Sequence, residues 1–192
     1  MSVTGLVVVV IGAWLALPVT APVTQDVDEM AEKVGKPEKL ALDAGWALAS
    51  LYEKVPATQT LAEKAQAILV FPKITRASVG VGVQRGTGTL IKDGNPEGFY
   101  TTTGTSVGLQ AGAKTYGYAL FFMNDNAVQA LGRAKGFELG VGPTLVVVNK
   151  GTSKNLTTTT LKADIYAVIF DQKGLMAGLG VQGNKITKAN PK

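Results

Sequence analysis

The period of the apolar residues changes once along this chain, at Pro72, and that change constrains the fold more than any other feature. Beyond it, residues 78–88 read SVGVGVQRGTG, with Val79, Val81 and Val83 on one side and Gly80, Gly82, Gly86 and Gly88 on the other. Successive side chains of a strand point to opposite faces, so the run predicts a strand with one bare face. Asp93-Gly94-Asn95-Pro96 marks a hairpin turn. Further strands are expected over 99–103, 106–113, 116–123, 137–141, 144–149, 156–161, 163–170 and 175–181. Asn124 is placed to cap a helix over 125–134.

Before Pro72 the period is helical. Between residues 38 and 55, Leu40, Ala44, Ala47, Leu48, Leu51 and Val55 recur at spacings of three and four, and Trp46 and Tyr52 are expected to widen that face. Pro56 stops the helix. Thr60-Leu61-Ala62-Glu63 has the capping-box pattern and predicts a second helix that runs into 67–71 and ends at Pro72. A short acidic helix is expected over 26–34. Helices followed by a run of short strands give an α+β fold, with N-terminal helices packed on a curved, glycine-rich, mainly antiparallel β-sheet or partial barrel.

Gly82-Val83-Gln84, Gly108-Leu109-Gln110 and Gly180-Val181-Gln182 repeat one pattern, glycine-aliphatic-glutamine. Bare positions two apart let another element approach the backbone, so Gly80, Gly82, Gly108, Gly112, Gly178 and Gly180 are assigned to a tightly packed glycine face. The alternative is a groove with a floor of bare backbone, suited to a ligand.

The 192 residues contain no cysteine and no histidine. Disulfides, thiolate nucleophiles, imidazole bases and zinc fingers are thereby excluded. Charge is divided unevenly. Residues 1–72 carry five lysines against eight acids, and residues 73–192 carry fourteen Lys and Arg against six acids, a balance of +8. The basic half suits an anionic partner, a lipid head group or nucleic acid; the plainer alternative is a soluble surface kept away from zero charge.

No charged side chain precedes Asp26, and residues 5–17 (GLVVVVIGAWLAL) have nothing polar. Thirteen residues suit the apolar region of a signal peptide better than a spanning helix of about 20. An uncleaved anchor over residues 3–23 stays open, as does a buried strand. The expected division is a leader over 1–25 and one domain over 26–192, exported and periplasmic or anchored on the extracytoplasmic side. With no lipobox cysteine, a lipoprotein anchor is not expected.

Catalytic and cofactor motifs fail. The glycine run lacks both GxGxxG and GxxxxGK[ST] and alternates as a strand instead of opening a helix. Residues 93–98 begin like a calcium loop, but the twelfth position is Gly104 where a glutamate is required. No two carboxylates are paired for acid–base work. No catalytic residue, metal or cofactor is expected, and the chain is read as a non-enzyme.

Residues 67–88 (AILVFPKITRASVGVGVQRGTG), 118–123 (YALFFM), 140–143 (GVGP) and 164–186 (DIYAVIFDQKGLMAGLGVQGNKI) together resemble the SYLF domain, the actin-regulating domain of yeast cortical-patch proteins, widespread in bacterial exported proteins. The resemblance covers roughly residues 40–188 and is to the stand-alone bacterial type. It implies binding in place of catalysis: eukaryotic members bind phosphoinositide membranes, and some bind actin. Actin is not expected as a partner of an exported chain, nor is nucleic acid. The expected partner is an anionic lipid membrane, with Lys73, Arg76, Arg85, Lys114, Arg133 and Lys135 as candidate phosphate contacts. The alternative is a structural or protein-interaction module of the cell envelope, with an envelope protein as partner.

Overall fold

The computed structural model describes residues 36–132, 137–138, 144–148, 162–178 and 181–191. The leader, the helix expected over 26–34 and the strand expected over 156–161 lie outside these residues. So do Arg133, Lys135 and Gly180.

Helix α1 (Lys36–Lys54) carries Pro37 in its first turn, where a missing N–H costs nothing. Ala44 and Leu51 are fully buried, and Ala47, Leu48 and Tyr52 pack beside them. Trp46 does not widen this face: it is 76% exposed. At roughly 100° per residue, two positions from Ala44 lies on the far side of the helix. Helix α2 (Ala57–Ala62) starts directly after Pro56, so Thr60 falls inside it and the expected capping box does not form. Thr58 instead donates its hydroxyl to the Val55 carbonyl at 2.7 Å.

Residues 67–71 are strand, not helix. Strand β1 (Ala67–Lys92) takes in this run, and β2 (Asn95–Phe122) merges the three strands expected between 99 and 123. Ile68 and Val70 pack under α1 and α2, while Leu69 and Phe71 enter a second core between the sheet halves. A strand buried on both faces has no alternation, which is why an apolar run of this length can be mistaken for helix. Pro72 is tolerated because, among the described residues, β1 pairs only with β2, and the pairing skips Pro72 and Lys73 between Phe71 and Ile74. Asp93 and Gly94, both with positive φ, make a two-residue turn within the hairpin expected over residues 93–96.

Helix α3 (Asp125–Leu131) follows β2, its N-cap Asn124 accepting from the Ala127 N–H at 3.0 Å. Then come β3 (Phe137–Glu138), β4 (Leu145–Val148), β5 (Ile165–Gly178) and β6 (Val181–Ala189). The strand expected over 163–170 and most of that over 175–181 are one strand, β5, with a shift at Asp171 and Gln172 that the ladder with β2 absorbs. The sheet is open, ordered β3-β6-β2-β5-β4 with β1 on β2. Among the described residues, only β4 and β5 pair in parallel.

The sheet is doubled over. A Cβ at Gly82 would lie 2.9 Å from the Ser78 hydroxyl, one at Gly86 2.7 Å from Ile74, and one at Gly88 2.4 Å from the Val70 carbonyl oxygen. In a straight strand, residues 70 and 88 would be about 60 Å apart at 3.3 Å per residue. The three contacts are centred on residues 79–80, where Gly80 has φ +73°. Opposite it the ladder jumps from Val79–Ala111 to Val81–Val107, leaving Gly108, Leu109 and Gln110 against one residue. On the other side of β2, Gly178 of β5 pairs with Gln110, and Val181 of β6 pairs with Val107. The crease therefore lies at Gly80 of β1 and at residues 108–110 of β2, the second of the repeated motifs, beside the ends of the ladders that β2 forms with β5 and β6.

The assigned glycine face divides accordingly. Gly82 sits on a packed face together with Gly86 and Gly88. Gly80 and Gly112 do not: both are exposed with positive φ, and a Cβ at Gly80 would meet nothing within 4 Å. Backbone conformation, not close approach, is what glycine supplies there.

Candidate anion-binding cleft

Arg76 and Lys114 are direct partners across the β1–β2 ladder, so both side chains project from one face. Arg76 donates to the Ser106 hydroxyl at 3.0 Å. The Lys114 ammonium stands 5.5 Å from the Tyr116 ring centroid, a cation–π distance. Next to it the Tyr116 hydroxyl donates to Gln84 Oε1 at 2.9 Å, and Gln84 Nε2 donates to Asn184 Oδ1 at 2.7 Å. These bonds link β2, β1 and β6, so they join the two halves of the doubled sheet.

Between the halves lies a cleft of about 240 Å³, lined by Arg76, Lys114, Gln84, Asn184, Tyr116 and Tyr118 among others. Burial, and secondarily the neighbouring Tyr116, holds the Tyr118 phenol above its ordinary pKa, so it presents a neutral hydroxyl. Among the described residues of the lining there are two cations and no carboxylate.

Arg85 goes elsewhere. It opposes Thr103, which opposes Lys185 on β6, which opposes Glu138 on β3. This row lies along a wider, open groove of about 760 Å³ that also includes Val83 and Asn184. Here an acid accompanies the two cations. Lys73 is exposed in the ladder shift after Phe71 and lines neither cavity. Of the six cations expected to contact phosphate, the structure thus brings together Arg76 and Lys114 and sets Lys73 and Arg85 apart from them.

Tyr116, Ser106 and Asn184 were not singled out by sequence. The spacing of Asn184 from Gln182, two positions along β6, carried a signal: it continues the motif's own face. Gln84 was legible as the residue following the glycine-valine pair, and burial of its side chain agrees with that face.

No helix among the described residues is long and apolar enough to cross a membrane. The outer side of β1 is nonetheless apolar, with Val79, Val81 and Val83 between 59% and 88% exposed.

These features define an α+β domain built on a doubled, open sheet, with a basic cleft between its halves. Residues 103–191, a little under half of the chain, match the model of the family described as Ysc84, Las17-binding protein actin regulator, in agreement with the SYLF-domain resemblance read from the sequence. The matched segment runs from the middle of β2 to the end of the sheet. No curated protein matches the chain.

Proposed function

We propose that this chain is a non-enzymatic binding domain for anionic lipid head groups, acting at a membrane surface on the extracytoplasmic side. The observation that carries the reading is the uncompensated positive charge of the body. The body carries fourteen Lys and Arg against six acids, and one of these acids, Asp171, pairs with Lys54 of α1 outside the body. Each Lys or Arg near an anionic surface is worth about 1 kcal/mol. The matching family is described by Las17 binding and actin regulation; of the properties that the SYLF resemblance implies, lipid binding is the one open to an exported chain.

Flotation with vesicles tests the reading. Protein lacking residues 1–25 should rise with vesicles in proportion to their anionic lipid content and be released by salt, because charges are screened over about 10 Å at 0.1 M. Failure to bind any anionic vesicle at low salt would remove it. A second reading, a protein-interaction module of the envelope, is favoured by the exposed Val79, Val81 and Val83 along β1, an edge strand among the described residues. Capture by envelope proteins that survives high salt would support that alternative.

A further inference from the structure

We infer that the outward face of α1 is a dimerisation surface, on which a second copy of this chain lays its own α1 antiparallel across Trp46. The inference is independent of both the membrane and the envelope readings.

The face is apolar where a lone domain has no need of it. Trp46 is 76% exposed and Leu42, one turn before it, is 56% exposed. Residues four apart share a helix face, so the two form one patch. Gly45 and Ala49 are exposed beside them. Glycine inside a helix is costly relative to alanine, and a Cβ at Gly45 would meet nothing within 4 Å, so packing within the chain does not require it. The two small residues keep the flank of Trp46 low, which lets another helix come close. Exposed apolar surface of this kind marks an interaction site, and tryptophan is a favoured anchor in one.

Charge then selects the occupant and its direction. Seven residues of helix fall about 20° short of two full turns, so Lys39 and Glu53 lie on the Trp46 stripe, one towards each end. Both are exposed, and no ion pair among the described residues engages them. Each is seven residues from Trp46. A two-fold axis at Trp46 therefore sets Lys39 of one copy level with Glu53 of the other, and does so twice. On one flank Leu42 comes level with Ala49 of the second copy; on the other, Asp43 comes level with Ser50 of the second copy. A parallel arrangement would instead set lysine on lysine and glutamate on glutamate. The stripe is complementary to itself in one direction only. Two helices about 28 Å long bury less than the roughly 1,200–2,000 Å² of a standard interface, so the association is weak and concentration-dependent.

Sedimentation of the full chain over a range of protein concentrations tests this. A reversible monomer–dimer equilibrium is expected, with a midpoint in the micromolar to millimolar range. Trp46→Ala should weaken it about tenfold or more, while leaving the melting temperature of the dilute, monomeric chain unchanged. Lys39→Glu makes the stripe acidic at both ends, and Glu53→Lys makes it basic at both ends. Each alone should be monomeric where the parent dimerises, because like charges then face each other. An equimolar mixture of the two should form a heterodimer, and Lys39→Glu combined with Glu53→Lys should recover the parent's association. Lys73→Gln, an exposed cation on the sheet, should change nothing.

A parent chain that stays monomeric throughout overturns the inference. So does a dimer that persists in both single variants, and so does a mixture that fails to associate where the parent does. Should Trp46→Ala cost vesicle flotation while the parent never dimerises, the face belongs to the bilayer: the dimer is overturned and the membrane reading stands.

Discussion

Thr144 and Asp164 hold each other through a single hydroxyl: Thr144 Oγ1 donates to Asp164 Oδ2 at 2.7 Å and accepts from the Asp164 N–H at 2.8 Å. The Thr144 N–H donates to the same carboxylate oxygen at 2.8 Å, and Asn124 Nδ2 donates to the other at 2.7 Å. One carboxylate thus ties the start of the parallel β4–β5 pair to the N-cap of α3.

These hydrogen bonds, led by the Thr144 hydroxyl, hold the Asp164 pKa below its ordinary 3.8. A depressed folded-state pKa means that the charged form is favoured by folding. The contribution is complete above the ordinary carboxylate range and is lost as pH falls through the lowered value. Asp164→Asn is therefore expected to lower the melting temperature at pH 7, with the gap to the parent narrowing below about pH 3.8. Parallel thermal melts at pH 7 and pH 3 check this; an equal gap at both would mean that the ionised form is not what matters.

The doubled sheet makes two glycines fail for different reasons. Gly88→Val places carbon against the Val70 carbonyl and the Phe71 ring, and should prevent folding or cost well over the 1–3 kcal/mol typical of overpacking. Gly80→Ala meets open space but must adopt φ +73°, costing about 1–2 kcal/mol. Gly80→Asn should recover part of that loss, because asparagine tolerates the left-handed region; chemical denaturation of the three variants would rank them. Equal effects of alanine and asparagine at position 80 would argue against a backbone origin.

On α1 the same logic separates two large apolar residues. Leu51→Ala empties a fully buried position and should cost about 2–5 kcal/mol. Trp46→Ala, on the solvent side, should change stability by no more than about 0.5 kcal/mol. A large loss at Trp46 would show that something covers this face in solution.

How far the sequence was legible follows from these residues. The 3.6 period from Leu40 to Val55 located α1, and the Asp93-Gly94 pair located the hairpin turn, because each reports a local preference. Residues 67–71 misled because double burial erases alternation. The three strands expected within 99–123 merged because pairing with β1 carries straight through Gly104-Thr105 and Lys114-Thr115. Of the cleft, Arg76, Lys114 and Gln84 could be nominated singly, but their convergence depends on the crease. No local pattern states that residue 76 will face residue 184.

The leader expected over residues 1–25 is tested by removal. The core clusters among the described residues begin at Ala44, so protein lacking residues 1–24 is expected to unfold cooperatively, in one transition with a calorimetric enthalpy equal to the van't Hoff value. Loss of that transition would place the leader in the core and end the export argument.

The outward cations carry a separate expectation. Lys73→Gln with Arg85→Gln should remove about 2 kcal/mol of vesicle affinity if both meet lipid. Since both side chains are exposed, melting should be unchanged. Undiminished flotation of the folded double variant would move the membrane contact away from these two residues.

The crease also orders events in time. Pairing between β1 and β2 starts at Lys92–Asn95 beside the turn and ends at Ala67–Phe122, so the ladder can close like a zipper from its tightest loop outward. Only once it is long enough to bend at Gly80 can it lie down on itself and receive β5 and β6. Opening the chain at Asp93-Gly94 and joining the old ends would keep every native pairing yet turn the shortest loop into the longest, and loop closure sets folding speed more than it sets stability. Refolding of such a permuted chain is expected to slow far more than its unfolding hastens.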